Sequence, residues 1–529
     1  MRWSSIGGDE LTDYYVNNAT GDNGNDGSAS YPWETIAYSV TQLSAGDRLR
    51  IQGGANPGSR QDYNETVVIT SGAGCSAGSS GNEITVMNEP GEYIRLYSAS
   101  TTRLLDIRLA YWIIQGGAFD LESGDPEFEL DRQDVTSSGY AVDIYETSHV
   151  TLSYLHIHNA LYETIVRIRG SSDCRIEYCR IHDNAATPGA DHHGLLVYSD
   201  DSGYPCDDDV VSGCRIYDCA GDCIQLQTQL TGAISGFIVE DTYMYTTLGA
   251  ASEQGFDDKD GIDSIVRRCT FYGFRECDGS VGGTGADGQA IIIQGDTSGA
   301  QIYENEIYDI SGAAVRIDAD NVVFRNNVIH SLVYEADIDF RHTLFITATA
   351  SAVDIFNNVI GGDYGGYGNS FKTVTGSSCE LRNNVFYDCN TVDDDGTTTA
   401  SNNCWYSCVG SVSGSGDITS DPLFVNRAGH DYRLQSSSPC IDAGTDVGLP
   451  YQNTAPDMGA FESPVFVSGI ASLEGFGTAV VSVASALSIL PGGIASLEGF
   501  GTPLVAGEVA VYVSGAHMVV SGAHVVMGG

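Results

Sequence analysis

Lysine is almost absent from these 529 residues. Lys259 and Lys372 are the only two, and every other cation among the 24 Lys+Arg is an arginine, against 70 Asp+Glu. The resulting formal charge of −46 repels nucleic acid and anionic membranes at ordinary salt, so neither is an expected partner. Two explanations of the acidity remain: a surface adapted to high salt, where screening removes self-repulsion, or one that collects divalent cations. The acids are scattered and not clustered, which favours the high-salt setting. Proline is scarce at 13, and long stretches of Ala, Leu, Glu and Lys are missing. No apolar run reaches the length of a bilayer span, so membrane insertion is not expected. Met1 to Asp13 holds no basic stretch leading into an apolar one. The expectation is therefore a chain without a secretory leader, either a mature fragment or one released by lysis.

What is plentiful is glycine, 64 of it, with Asn, Asp, Ser and Thr spread throughout. The length alone would allow about three domains, but stacked repeats escape that prior by growing in one dimension. A repeat is visible: Cys174–His182, Val322–His330, Val353–Ile360 and Cys379–Tyr387 are variants of one motif. Its last large apolar residue recurs at Ile157, Ile181, Ile216, Met244, Phe271, Ile307, Ile329, Ile360, Phe386 and Trp405. The spacings run from 19 residues (386 to 405) to 36 (271 to 307). Short alternating runs broken by Gly, Asn or Asp predict short strands meeting at turns, one coil per repeat, with longer intervals carrying inserted loops.

Two residues before each of these positions stand Cys179, Cys214, Thr242, Cys269, Asn305, Asn327, Asn358, Asn384 and Asn403. Stacked coils put them above one another at roughly 4.8 Å, where asparagines hydrogen-bond along the stack. Cysteine in that column reads as a small buried substitute, not a metal ligand. Of the 14 cysteines, Cys389 and Cys408 on adjacent coils are the best disulfide candidates, and no pair has CxxC zinc spacing.

The opening Tyr14–Asn18, Gly21–Gly27, Pro32-Trp33 and Gly46–Arg50, with the closing Asp421–Phe424, Asp431–Leu434, Ser438–Gly444 and Asp457–Glu462, resembles pectate-lyase-like proteins. The resemblance implies an all-β fold, a right-handed parallel β-helix over residues 14–463 after a short lead (1–13). It also implies an N-terminal capping helix, for which Ile36, Val40 and Leu43 have the spacing. The superfamily contains lyases, hydrolases, epimerases and inert adhesins, so activity has to be read from a site.

Residues 464–529 differ. Gly469–Thr478 recurs identically at Gly493–Thr502, and Val513–His517 is echoed by Val520–His524. This small-residue segment resembles short repeats in structural proteins of tailed phages. It implies an attachment or oligomerisation module on a tailspike-like virion protein that binds host-surface polysaccharide, with a homotrimer as one assembly the resemblance allows. The plainer alternatives are a linker or a surface anchor.

Chemistry is expected on one strand per coil. Aligned, these read Val166–Arg169, Leu195–Tyr198, Ile224–Gln227, Phe256–Lys259, Ile291–Gln294 and Val315–Asp318. First and third positions face inward, second and fourth outward. The outward face then carries Arg167, Arg169, Tyr198, Gln225, Gln227, Gln294 and Arg316 as substrate contacts, with Lys259, Asp257 and Asp318 as catalytic candidates. Gly255–Gly261 resembles the Asp-x-Lys coil of some pectate-lyase-like proteins, which implies Lys259 as the base of a β-elimination. Against that, Asp258 falls at an inward position, and neighbouring acids raise a lysine's pKa; a salt-bridged lysine is the competing reading. Asp257 and Asp318, two coils apart, offer a hydrolase pair instead. The inserted loop with Asp191-His192-His193, Asp200-Asp201 and Asp207-Asp208-Asp209 gives the last three as candidate Ca2+ ligands; the adjacent histidines suggest zinc only weakly.

Overall fold

In the computed structural model, the chain divides into residues 1–462 and 463–529. The structure describes residues 12–98, 103–132, 139–160, 163–184, 192–199, 204–229, 233–247, 253–275, 288–333, 342–361 and 369–464, and four strands of the tail. Asp191, Asp200 and Asp201 lie outside the described residues.

Each coil contributes a strand to each of three parallel sheets in turn. Sheet one has fourteen strands, from Asp13–Val16 to Thr397–Ser401. Sheet two has thirteen, from Gln61–Asn64 to Cys404–Tyr406, and sheet three has twelve, from Val67–Ile69 to Val392–Asp394. This is the all-β parallel β-helix that the repeat predicts. Ile157, Ile181, Ile216, Met244, Phe271, Ile307, Ile329, Ile360 and Phe386 are fully buried at the centre of sheet two. Trp405 ends the row, stacked 4.2 Å from Phe386.

The corner between sheets one and two explains the Asn-Asn doublets. At the first position of the corner, Tyr154, Tyr178, Asp241, Asn326, Asn357, Asn383 and Asn402 have φ between 51° and 56°. Asparagine tolerates that left-handed bend better than most residues. The second residue forms the ladder. Backbone N–H of Asn305, Asn327, Asn358 and Asn384 donates to Oδ1 of the next Asn at 2.9–3.1 Å. Cys179 N–H donates to Cys214 Sγ and Cys214 N–H to Thr242 Oγ1. All described cysteines are free thiols. Cys389 and Cys408 are no exception: their thiols interact without a bridge.

At the N-terminal end the helix Ile36–Ser39 and the following 3-10 turn Val40–Gln42 cover the first coil, with Thr35 Oγ1 accepting from Tyr38 N–H. Ile36, Val40 and Leu43 are buried, as their spacing predicts. At the other end the chain folds back over sheet two. Phe424, Tyr432, Leu434 and Met458 cover Val328, Val359, Val385 and Cys404. Asn383 fastens this segment through Thr445, donating to its carbonyl and accepting from its N–H.

In the second unit, Leu487–Ile489 pairs with Ala495–Leu497, and Val509–Val513 with Ala516–Val520, both antiparallel. No described helix is long and apolar enough to cross a membrane.

Candidate active site on sheet three

The register of sheet three matches the sequence alignment: Val166, Leu195, Ile224, Phe256, Ile291 and Val315 pair in succession. Inward positions are buried throughout, Asp258 included. Its carboxyl accepts from Gly261 N–H, Ser264 Oγ and Thr297 Oγ1, which is how an acid occupies an apolar position. Burial still pushes it up to about 6.

The outward face separates into two halves. In the first, Arg167 makes a two-pronged contact with buried Asp143 at 2.8 and 3.0 Å, donates to Tyr140 Oη, and lies 4.0 Å over that ring. Arg103 reaches the same carboxylate at 2.5 Å. Arg167 is therefore a structural ion-pair member, contrary to its expected role on substrate. Arg169 lies between the rings of Tyr145 and Tyr198, 4.9 and 5.8 Å away. Tyr198 Oη accepts from Gln229. Further along, Arg316 pairs with Asp318 at 2.5 Å, so these two candidates neutralise each other.

The second half centres on Asp257. Gln294 Nε2 donates to its Oδ1 at 2.8 Å, and Lys259 Nζ lies 3.4 Å from its Oδ2. Asp257 is almost wholly buried, whereas a third of the Lys259 side chain is exposed (34%). Gln225 stands beside Asp257 in register, and Gln227 one residue pair further out. Burial raises the Asp257 carboxyl, with Lys259 and then Gln294 pulling the other way.

Asp318 belongs to a separate ion pair, and the carboxyl that sits by Asp257 is one the sequence reading missed, Asp222. It lies two residues before its sheet-three strand, in a turn column that runs Thr164, His193, Asp222, Gln254 and Gln289. His193 N–H donates to Thr164 Oγ1, Asp222 N–H to His193 Nδ1, and Gln254 N–H to Asp222 Oδ1. This is a second side-chain ladder. Its signal in the sequence is an acceptor residue two positions ahead of five successive strands, those beginning at Val166, Leu195, Ile224, Phe256 and Ile291. Asp222 Oδ2 accepts from Gln225 Nε2 at 3.1 Å. Burial, then the charges of Asp257 and Glu253, push the Asp222 carboxyl well above the usual range. Two buried acids beside one half-exposed lysine form the most perturbed polar cluster on this sheet, the pattern expected of a functional site.

Among the described residues, two groups of side chains bring donor atoms within 4.8 Å of one another and could hold a divalent metal: His193 with Asp222 and Glu253, and Glu129 with His156 and His158. Both contain nitrogen donors, whereas calcium takes six to eight oxygens. Among the described residues the Asp207–Asp209 run gives no such group. Asp207 accepts from Ser235, Asp208 occupies a left-handed turn, and buried Asp209 caps Cys174 N–H.

A family model described as the right handed beta helix region matches residues 80–243 and 206–419, well over half of the chain. The chain belongs to this family. No curated protein matches this β-helix protein. Among solved structures it is similar to pectate lyase Pel9A, with 15% identity over 85% of this chain and 97% of that one, TM-score 0.42. It is also similar to the GH136 lacto-N-biosidase from Eubacterium ramulus, with 13% identity, 77% and 68% coverage, and TM-score 0.44. A protein of Geobacillus virus E2 matches at 8% identity, covering 67% and 54%, TM-score 0.34.

Proposed function

We propose that this β-helix protein acts on polysaccharide outside the cell as a lyase of uronate-containing glycans, with Lys259 as the base. The observation that carries the reading is the position of Lys259, half-exposed on an outward sheet face and paired with a buried carboxyl of raised pKa. In the reaction Lys259 takes the C5 proton, the electron pair forms the C4–C5 double bond, and the C4–O bond breaks. The departing oxygen is protonated by solvent. To act as a base, Lys259 first passes its own proton to Asp257. A neutral amine–acid pair loses less than an ion pair when substrate displaces water, so covering the site favours that transfer. Arg169, Tyr198, Gln227 and Gln294 line the exposed edge and contact the sugar; Gln225 and Asp222 hold the floor.

The test is absorbance of unsaturated uronate on incubation with acidic polysaccharides. Lys259→Ala should lower the rate by about 10²–10⁴-fold with unchanged circular dichroism, and equal activity would remove Lys259 from the mechanism. A second reading rests on the Asp222–Asp257 pair. Reducing ends released without unsaturation, and lost in Asp222→Asn, would identify a hydrolase. Binding without cleavage would identify an adhesin.

For the setting, the repeated tail supports a tailspike-like virion component in a high-salt environment. Removing residues 464–529 should then leave the β-helix folded and abolish particle incorporation or self-association, measured by sedimentation. Unfolding of the whole chain would refute that division.

A further inference from the structure

On the outward face of sheet two, the donor atoms of Glu129, His156 and His158 lie within 4.8 Å of one another, and His182 joins them through His156. Glu129, His156 and His158 come from two adjacent coils and His182 from the next. His156 stands over Glu129 in register, and His182 over His158. The contacts run along the diagonals: His156 Nε2 is 2.6 Å from His182 Nε2, and His158 Nε2 is 2.7 Å from Glu129 Oε1. We propose that Glu129, His156, His158 and His182 bind one divalent transition-metal ion of the zinc type, pinning three successive coils together. This inference is independent of the lyase reading.

Three features support it. The donor set is three imidazoles and one carboxylate, which suits zinc and the later first-row metals and disfavours calcium and magnesium. The outer contacts are those of ligands already aimed. Asp183 Oδ2 lies 3.0 Å from His182 Nδ1, leaving Nε2 toward the group, and Arg60 holds the second oxygen of Glu129. Third, two imidazole nitrogens meet at 2.6 Å, a contact that requires either a proton between them or an ion in its place. Two imidazole nitrogens on a tetrahedral zinc stand about 3.3 Å apart. Binding therefore spreads the His156–His182 contact by less than about 1 Å.

The full-length protein, stripped with chelator and dialysed, is titrated with Co2+ alone and then Zn2+ alone. One equivalent should bind, with the intense visible bands of a four-coordinate N/O cobalt site that zinc then bleaches. His158→Gln and Glu129→Gln should each weaken binding at least tenfold, and the exposed-side variant Asp183→Asn by about 10–100-fold. His193→Gln, in the other candidate group, should leave the bands unchanged. Circular dichroism checks that each variant is folded. Absence of Co2+ bands in the wild type overturns the proposal. So do bands that survive in folded His158→Gln and Glu129→Gln, or vanish in His193→Gln.

Discussion

Sheets two and three wrap the same core on the same coils, yet their outward faces solve different problems. On sheet two the outer column reads His158, His182, Tyr217, Tyr245, Tyr272, Tyr308 and His330, stacked with centroids 4.5–5.5 Å apart and planes within 4–15°. Rings stacked along the coil axis spend their faces on one another and leave only edges for solvent. Such a column stiffens the solenoid and is a poor platform for sugar rings, which need an open aromatic face. On sheet three the outer columns hold ion pairs and amides: Arg167 on Asp143, Lys259 on Asp257, Arg316 on Asp318. There the charges are satisfied pairwise, and a ligand competes for hydrogen bonds instead of stacking. One face is built to hold itself; the other has polar atoms that can be redirected.

Three substitutions press on that contrast. The largest effect is expected from Asp143→Asn on sheet three, which leaves Arg167 and Arg103 short of their shared anion. It should cost about 3–5 kcal/mol in denaturant unfolding, with no change in the catalytic rate per folded molecule. A loss under about 1 kcal/mol would show that water or another acid replaces Asp143. Next is Asp258, whose carboxyl is raised to about 6 by burial. A raised acid favours the folded state while protonated, so its contribution is complete below the unfolded pKa near 4 and falls as pH rises toward 6. Over that window the wild type should lose up to about 1.4 kcal/mol per pH unit relative to Asp258→Asn. Parallel stability curves would assign the acid a normal pKa. The smallest effect is Tyr245→Ala on sheet two. It breaks two stacking contacts worth about 0.5–1.5 kcal/mol each beyond buried area, lowering stability while leaving glycan binding untouched. Lost binding in that variant would make sheet two, and not sheet three, the ligand face.

Much of the fold was legible because a solenoid repeats its local rules. The apolar position at Ile181, Ile216 or Ile307 and the Asn/Cys column two residues before it recur with every coil, and each recurrence repeats the same packing requirement. The sheet-three alignment followed from the same periodicity. The Lys259–Asp257 pair was readable as two outward residues on one strand. Asp222 and His193 were not, because they sit in turns separated by inserted loops, and their column repeats a residue type only at Gln254 and Gln289. Only shared acceptor chemistry joins Thr164, His193, Asp222 and Gln254.

By itself the amino-acid sequence determined the architecture: period, inward stripe, corner asparagines and capping helix are all local patterns that stacking makes cooperative. Partnership was decided only by the tertiary structure. Arg167 and Arg316 look like substrate ligands in one dimension and prove to be neutralised by Asp143 and Asp318. Glu129, His156, His158 and His182 are 53 residues apart from first to last (129 to 182) and converge only when three coils stack. Which charge faces which depends on distances across coils, and inserted loops of variable length hide those distances from any reading along the chain.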